Sequence, residues 1–376
     1  MKKPIKVTFV INNLSGGGAE RILVNILNNL DRNKFKPKLF LFEYEGKFLN
    51  DLAEDIEIGY GIKFIDDSHK LKKKFRSYYK YLYRTIWGVK KLESFIKEDE
   101  MVIAFLEKMV TYNVARTKKE NIVSLAWLHN NVNEFSSIHK LLSKKYYSKY
   151  DNIFCVSNEC TELARKYFED TNIKFNSVYN PIDINSIIEN SKKESRFKVP
   201  KGKNIVAIGR LTRQKGFDIL IESFSKIKKD DVNLIILGEG EDRKKLESLV
   251  EDYGLKSNVY LPGFVDNPYS VLRQSDIFVL ASRFEGLPTV LIEALTLNKT
   301  IVSTKCSGSS EILCNGKYGY LVEKNNVNDL SEKMILALNN LDEVKNGYER
   351  AINFEKDKII KEIEEKLIES YLDKNN

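Results

Sequence analysis

The chain has 376 residues, which is long for one α/β domain and sufficient for two. A hydrophobic content of 42% and an aromatic content of 11% can fill packed cores, so the composition excludes a disordered chain. The formal charge of +8 is a mild basic bias with both signs plentiful, well short of a nucleic-acid-binding tail. No nucleic-acid partner is therefore predicted.

Cysteine and histidine usage argues against a metal centre. The four cysteines show neither C-x-x-C spacing nor a Cys/His cluster, which is typical of buried thiols in a reducing compartment. With His69, His129 and His139 as the only histidines, no metal site is predicted. The apolar run 5–11 alternates like a strand and is too short for a signal sequence, and no stretch reaches the roughly 18 apolar residues of a membrane helix. These patterns predict a cytoplasmic protein.

The first half alternates β-rich runs with amphipathic stretches, as parallel sheets covered on both faces do. Strands are predicted at 5–11, 37–43, 62–65, 101–106, 122–128, 153–156 and 175–179. Helices are predicted between them, among others at 19–30, 79–97 and 159–168. This half therefore predicts one complete α/β domain.

A break at Asn180-Pro181-Ile182-Asp183 and the polar stretch 190–203 predict a linker, after which the alternation restarts. Strands are predicted at 204–208, 232–237, 258–261, 276–281, 300–304 and 320–323, with helices at 217–228, 242–253, 287–297, 327–341 and 354–372. The predicted fold is α/β, with two doubly wound Rossmann-like domains facing a central cleft. They span 1–185 and 200–353, and a C-terminal helix, 354–376, is expected to pack back on the first.

In such domains ligands lie beyond the carboxyl ends of the strands. Gly16, Gly17 and Gly18 follow the first strand and precede a helix, so they favour phosphate or sugar contact, although a structural turn has the same pattern. His129 ends another strand, where a histidine is either structural or directed at a ligand. Phe264 and Val265 follow a later strand, and their backbone groups could read a base edge or simply form a turn.

The second domain opens with a basic loop. Arg210 follows the strand-ending Gly209, and Lys215 precedes the next helix. Arginine and lysine at this spacing can clamp a diphosphate, the first as a planar fork and the second as a point charge. A solvated basic loop is the alternative.

The segment 282–294 is the most specific. Glu285 and Gly286 form a turn, and Leu287, Pro288 and Thr289 bring a positive helix end towards the ligand, with Pro288 at the first helical position. Glu293 lies within the apolar helical run that follows. A carboxylate there is costly unless it accepts hydrogen bonds, which a ribose diol supplies.

Together these motifs resemble the family 4 retaining glycosyltransferases of the GT-B fold, the glycosyl transferases group 1, over nearly the whole chain. The matching motifs are Gly17-Gly18-Ala19-Glu20, Leu128-His129-Asn130, Asn180-Pro181-Ile182-Asp183, Gly209-Arg210-Leu211 with Gln214-Lys215-Gly216, Gly238-Glu239-Gly240, and Phe284-Glu285-Gly286-Leu287-Pro288 through Glu293. One stretch, 305–312, departs from relatives, which often carry a Gly/Pro-rich turn there.

The resemblance implies roles for these residues. Arg210 and Lys215 would bind the donor diphosphate, helped by the amides of 287–290. Glu293 would hold the ribose hydroxyls, and Glu285 would contact the transferred sugar. His129 would lie beside that sugar near the reacting carbon, residues 16–18 would approach the phosphate and acceptor, and residues 264–265 would flank the base.

The implied reaction transfers a hexose or N-acetylhexosamine with retention, from a nucleotide-diphosphate sugar of which UDP is the expected nucleotide, without a divalent metal or other cofactor. The first domain would bind the acceptor, a glycan or lipid-linked saccharide in surface polysaccharide assembly. The segment 70–91 mixes cations with aromatics, which predicts peripheral contact with an anionic membrane at its inner face, or else a solvated helical face.

Two other functions remain open at this stage. A nucleotide-sugar epimerase on a similar scaffold would place acid/base residues around the sugar. A catalytically silent protein that binds glycan or nucleic acid is supported only by the basic aromatic patch.

Overall fold

The computed structural model describes residues 3–63, 83–117, 121–227, 231–341 and 346–375. The chain forms two compact units: unit 1 comprises Met1–Pro181 with Asp357–Asn376, and unit 2 comprises Ile182–Lys356. The sequence-based boundaries at 185, 200 and 353 differ from these by assigning the segment 186–199 to neither domain, whereas in the structure it belongs to unit 2.

Unit 1 is built on a seven-stranded parallel sheet with strand order β3-β2-β1-β4-β5-β6-β7. Its strands are β1 (Ile5–Ile11), β2 (Phe35–Glu43), β3 (Glu57–Ile62), β4 (Met101–Ala104), β5 (Val123–Leu128), β6 (Asn152–Cys155) and β7 (Lys174–Ser177). The central strands β4, β5 and β6 are buried throughout, which explains their predominantly apolar sequences.

Within the described residues, five helices connect these strands, together with short helical turns. They are α1 (Gly18–Asn29), α2 (Gly88–Phe95), α3 (Met109–Val114), α4 (Ser137–Tyr147) and α5 (Asn158–Tyr167), and a π-helical turn, Tyr83–Trp87, precedes α2. In α1 the apolar side chains recur at helical spacing, so Ile22, Leu23, Ile26 and Leu27 are buried. Its amino end follows β1 directly, at the carboxyl edge of the sheet.

Unit 2 has a six-stranded parallel sheet with strand order β10-β9-β8-β11-β12-β13. Its strands are β8 (Lys203–Ile208), β9 (Val232–Leu237), β10 (Val259–Gly263), β11 (Ile277–Leu280), β12 (Thr300–Thr304) and β13 (Tyr320–Val322). Its helices are α6 (Ile184–Ser191), α7 (Phe217–Phe224), α8 (Arg243–Asp252), α9 (Pro268–Gln274), α10 (Thr289–Thr296), α11 (Ser309–Ile312), α12 (Val327–Asn339) and α13 (Gly347–Ala351).

The C-terminal helix α14 (Lys356–Asn375) returns the chain to unit 1. Ile359, Ile363 and Leu367 recur at four-residue spacing and are buried. The buried Glu364 carboxylate accepts hydrogen bonds from the Asp31 backbone N–H and from Lys34 Nζ, both at 2.7 Å. This charged helix is therefore an integral part of unit 1.

Two sequence-based predictions need correction. The predicted linker begins inside α6, whose Asp183 side chain caps the helix by accepting the Ser186 N–H at 2.9 Å. The strand placed at 62–65 is β3, which instead ends at Ile62, because its glycine-containing sequence lacks a strong apolar run. Residues 64–65 and the start of the helix predicted at 79–97 lie outside the described residues.

Candidate functional site

The ion pair between Lys215 and Glu285 is the centre of the candidate site in unit 2. Lys215 follows β8 and Glu285 follows β11, and these two strands are neighbours in the sheet. The Lys215 Nζ lies 2.6 Å from Glu285 Oε1, although 70 residues separate them in sequence. Both side chains are largely buried, with 16% and 10% of their surfaces exposed. The structure thus joins two residues that the sequence analysis assigned to separate motifs.

Glycine shapes the loop that carries Lys215. Gly216 has a left-handed backbone with φ of 65°, and a Cβ atom there would lie 2.1 Å from the Ala281 carbonyl oxygen. The aliphatic stem of Lys215 lies over Gly209, 3.2 Å from where a Cβ would stand. These close approaches bring the loop after β8 against the end of β11 and hold Lys215 at the carboxyl edge of the sheet.

Glu285 has a second partner that the sequence analysis missed. Ser282 Oγ donates a hydrogen bond to the same Glu285 Oε1 at 2.7 Å, and both residues are buried. The Ser282 carbonyl accepts from Thr304 Oγ1 at 2.6 Å, which ties the turn to β12. The position of Ser282 directly after β11 was the available signal. These contacts hold the Glu285 carboxylate in one orientation beside Lys215.

A second ion pair, between Arg283 and Asp218, also connects the loop after β11 to the segment that follows β8. Arg283 Nη1 and Nη2 bind the two oxygens of Asp218 at 2.9 and 3.0 Å, and Nη1 also donates to the Arg213 carbonyl. Burial opposes ionisation of Asp218, but its contacts with Arg283 and Lys245 outweigh burial and lower its pKa. This bidentate pair locks the β11 loop to the start of α7.

The stretch 305–312, which departs from the resembled family, packs against the candidate site. A Cβ at Gly308 would lie 2.4 Å from the Gly286 carbonyl oxygen, so the backbones of the two loops touch. Burial raises the pKa of the Cys306 thiol to about 12, with the nearby Glu285 charge adding to the effect. Cys306 is therefore a neutral thiol that supports the turn.

Other predicted donor-site residues of unit 2 lie on the same loops or on α10 (Thr289–Thr296). Arg210 follows β8 on the same loop and is exposed. Pro288 is the N-cap of α10 rather than its first residue, because the helix begins at Thr289. Leu287 is buried, and Glu293 lies partly buried in the fifth position of the helix. The amino end of this eight-residue helix follows the Glu285 turn directly.

Phe264 and Val265 line a separate cavity of about 380 Å³ within unit 2. The Phe264 ring is 62% exposed, and Gly263, which ends β10, has a φ of 87°. The segment 194–197 from the predicted linker forms the other wall. The Asn267 side chain lines it as well and donates to the Asn190 carbonyl at 2.7 Å, while its Oδ1 has no partner among the described residues.

In unit 1 the glycine loop precedes α1. Gly17 is the N-cap of the helix and Gly18 its first residue, with no side-chain hydrogen bond at the cap. Gly16 has a φ of 118°, and a Cβ there would lie 2.6 Å from Lys47 Cε. The helix end thus presents backbone N–H groups beside a lysine side chain, an arrangement suited to an anion.

His129 stands at the carboxyl end of β5. Its backbone N–H and that of Asn130 both donate to Glu107 Oε1, the second at 2.7 Å. The His129 ring contacts Phe105 with centroids 4.7 Å apart, and its Nε2 is buried without a partner among the described residues. Burial also raises the pKa of Glu107. Glu107 was missed in the sequence analysis, although it follows the neighbouring strand β4.

Burial lowers the pKa of His129 to about 4, while a hydrogen bond to the Phe105 backbone partly opposes this effect. We therefore expect ¹³C-histidine NMR to give a titration midpoint near pH 4. Because an unfolded histidine titrates near 6.5, the unfolded chain binds more protons between these values. The contribution of His129 to the free energy of unfolding should fall as the pH is lowered from 6.5 towards 4.

His129→Asn is the control for this titration. The difference in the free energy of unfolding between the wild type and this variant should shrink as the pH is lowered from 6.5 towards 4. Because the pKa of Glu107 is raised, its contribution to the free energy of unfolding is lost as the pH rises, which is the opposite pH dependence. Glu107 is present in both proteins, so its contribution cancels in the comparison. A midpoint for His129 near 6.5 would contradict the expectation.

No helix within the described part of the chain is both long and apolar enough to span a membrane. Among the same residues, no three His, Cys, Asp or Glu side chains converge on one point.

Family comparisons cover almost the entire chain. Residues 16–186 match the family model described as Glycosyltransferase Family 4, and residues 188–354 match the one described as Glycosyl transferases group 1. An uncharacterized glycosyltransferase of Methanocaldococcus jannaschii is 34% identical over 288 residues, 64% of this chain and 71% of the relative. The chain belongs to the family 4, group 1 glycosyltransferases, and the predicted enzyme class is confirmed.

Two further comparisons extend over nearly full length. The N-acetylgalactosamine-N,N'-diacetylbacillosaminyl-diphospho-undecaprenol 4-alpha-N-acetylgalactosaminyltransferase of Campylobacter jejuni is 28% identical, covering 95% of this chain and 98% of that protein. A crystal structure of Anabaena HepE in complex with UDP-glucose has a TM-score of 0.78 at 20% identity, covering 97% of this chain and 100% of that one. The predicted GT-B fold is thereby confirmed.

Proposed function

We propose that this glycosyltransferase transfers a hexose or N-acetylhexosamine, with retention, from a UDP-sugar to a glycan or lipid-linked acceptor in surface polysaccharide assembly. The observation that carries the proposal is the buried Lys215–Glu285 pair at the carboxyl edge of the unit 2 sheet, with Arg210 exposed on the same loop. Relatives support the choice of donor and acceptor: HepE was crystallised with UDP-glucose, and the Campylobacter enzyme is named for a diphospho-undecaprenol acceptor.

Charge development in the transition state explains the arrangement. As the glycosidic bond breaks, negative charge grows on the leaving diphosphate and positive charge on the sugar. Lys215, Arg210 and the amino end of α10 would stabilise the diphosphate, because preorganised charges need no reorientation during the reaction. Glu285 would accept hydrogen bonds from hydroxyls of the transferred sugar, and Ser282 would hold it in place. The leaving phosphate would help deprotonate the acceptor hydroxyl in a front-face substitution.

The remaining residues would complete donor binding. Glu293 would hold the ribose hydroxyls, and the cavity beside Phe264 and Val265 would seat the base. The buried Nε2 of His129 has no partner among the residues that the structure describes, which supports a ligand contact, because a buried polar atom without a partner is costly. The loop 16–18 would approach the phosphate and acceptor. No divalent metal is required in this proposal, because the cationic side chains supply the positive charge.

The proposed acceptor also suggests where the enzyme works, at the cytoplasmic face of a membrane. The segment 70–91 is proposed to touch the anionic surface; its residues 70–82 lie outside the described residues. In the described part, Ile86 and Trp87 are exposed and Lys90 Nζ lies 5.6 Å from the Trp87 ring centroid. Vesicle sedimentation of Trp87→Ser tests this contact; binding equal to the wild type would argue against it.

Two assays test the catalytic proposal. A thermal-shift screen of nucleotide sugars should show stabilisation by one donor in proportion to its affinity. With that donor, UDP should be released only when acceptor is present, in buffer containing EDTA. An epimerised nucleotide sugar without UDP release would instead establish the epimerase, and loss of turnover in EDTA would refute metal independence.

Glu293→Ala should raise the donor KM and lower turnover by at least about tenfold. The reason is that the ribose would lose a charged hydrogen-bond acceptor, and such a bond contributes roughly 1.5–3 kcal/mol. Steady-state kinetics with the donor found in the screen measures the effect. Glu332→Ala, on α12, is the matched control and should behave like the wild type. Wild-type kinetics in Glu293→Ala would remove this residue from the donor site.

A further inference from the structure

Helix α4 exposes two aliphatic side chains to solvent. Ile138 and Leu141 are 71% and 78% exposed, the largest values among the exposed large hydrophobic residues of the described chain. The opposite side of the helix is fixed to unit 1, because Ser143 and Tyr147 are buried and the Tyr146 ring stacks on Tyr112 at 4.9 Å. The aliphatic pair therefore cannot turn inward without detaching the helix.

The charge of this helix is of one sign. Four lysines and no acidic residue lie between Ser136 and Tyr150. Lys144 and Lys145 follow Leu141 by three and four residues, so all three share the outward face. Lys144 Nζ comes within 3.8 Å of Asp170, but both side chains are exposed and this pair is weak. The face that carries Ile138 and Leu141 is consequently positive.

Unit 1 exposes a second apolar pair. Ile86 and Trp87 are exposed in the turn before α2. Helix α3 connects the two places: Asn113 Nδ2 donates to the Arg84 carbonyl at 3.3 Å, and α3 packs against both α2 and α4. The two exposed apolar pairs thus belong to elements that both pack on α3.

We propose that the α4 face, comprising Ile138, Leu141, Lys144 and Lys145, docks unit 1 on the anionic surface of a lipid bilayer. Aliphatic side chains enter the headgroup region while the lysines contact lipid phosphates, which is how an interfacial amphipathic helix binds. A bilayer satisfies both halves of this face at once, whereas an apolar protein groove would leave the lysines without counter-charges. The proposal concerns unit 1 and does not depend on the donor chemistry of unit 2.

Sedimentation with vesicles tests the proposal on the full-length protein. Wild-type protein should pellet with phosphatidylcholine vesicles containing phosphatidylglycerol at low salt, and less at high salt. I138S/L141S should weaken partitioning by about tenfold or more, because the buried aliphatic surface is lost. K144E/K145E should weaken it by a similar factor through charge reversal. The exposed Leu336 of unit 2 supplies the control L336S, which should bind like the wild type.

Thermal melting of each variant verifies that unit 1 remains folded, which is expected because these side chains are exposed. Wild-type protein that fails to pellet with the anionic vesicles at low salt would overturn the proposal. Vesicle binding by I138S/L141S equal to that of the wild type would also overturn the proposal. The same holds if the wild type does not bind vesicles but forms a dimer that these substitutions dissociate. Acceptor-dependent UDP release is measured without vesicles, so its failure would refute the catalytic proposal and leave this one standing.

Discussion

Lys215→Ala should lower kcat about a hundredfold while the protein still unfolds cooperatively. The substitution removes a cation held 2.6 Å from Glu285 at the carboxyl edge of the unit 2 sheet. Removing one preorganised charge-stabilising group from an active site costs roughly 10²–10³ in kcat. Stability should fall by about 1–3 kcal/mol, since Glu285 loses one partner but keeps the hydrogen bond from Ser282. Steady-state kinetics and urea unfolding measure the two effects separately.

Arg213→Ala is the matched control for this substitution. Arg213 lies on the same helical turn, its side chain is exposed, and its backbone carbonyl, which the substitution keeps, makes the contact with Arg283. Its kcat should equal that of the wild type. Equal losses in both variants would indicate a general disturbance of the loop, and wild-type turnover in Lys215→Ala would refute the assignment of the pair to catalysis.

Gly216→Ala should lower both the free energy of unfolding, by about 3 kcal/mol, and the turnover. The new Cβ would lie 2.1 Å from the Ala281 carbonyl oxygen, which is backbone and cannot rotate away. In addition, the left-handed conformation itself costs a non-glycine residue roughly 1–2 kcal/mol. Relief of the clash must separate the Lys215 loop from the end of β11, so the Lys215–Glu285 distance should change as well. Urea unfolding and kinetics check both expectations.

Gly254→Ala is the control that distinguishes the cost of the steric clash from the cost of the left-handed backbone conformation. Gly254 has a φ of 68°, close to that of Gly216, but a Cβ there meets nothing within 4 Å. This control should lose only about 1 kcal/mol of stability and keep full turnover. If the two variants were destabilised equally, the close packing of the Lys215 loop on β11 would not matter for the site.

Local patterns in the chain were sufficient for most of the strands, although not for β3 (Glu57–Ile62). The predicted strands 232–237 and 300–304 coincide with β9 (Val232–Leu237) and β12 (Thr300–Thr304). Buried parallel strands are rich in apolar and β-branched residues and are bounded by short polar turns, so for these two strands both type and limits are local properties. The positions of His129, Lys215 and Glu285 at strand ends followed from the same rule. The resemblance to the glycosyltransferase family could be recognised from the sequence alone, because its motifs occur along the chain in the family's order.

Long-range packing was responsible for the features that the patterns did not predict. Helix α6 (Ile184–Ser191) was taken as partly linker, since eight residues of mixed polarity carry little signal until packing buries Ile184 and Ile187. The contacts of Glu285 with Lys215, and of Glu364 with Asp31 and Lys34, join residues distant in sequence. Such partners are chosen by strand order and helix docking, which bring loops together only after the sheets have formed. No periodicity along the chain encodes those distances, so the partners of a charged side chain become known only in the folded units.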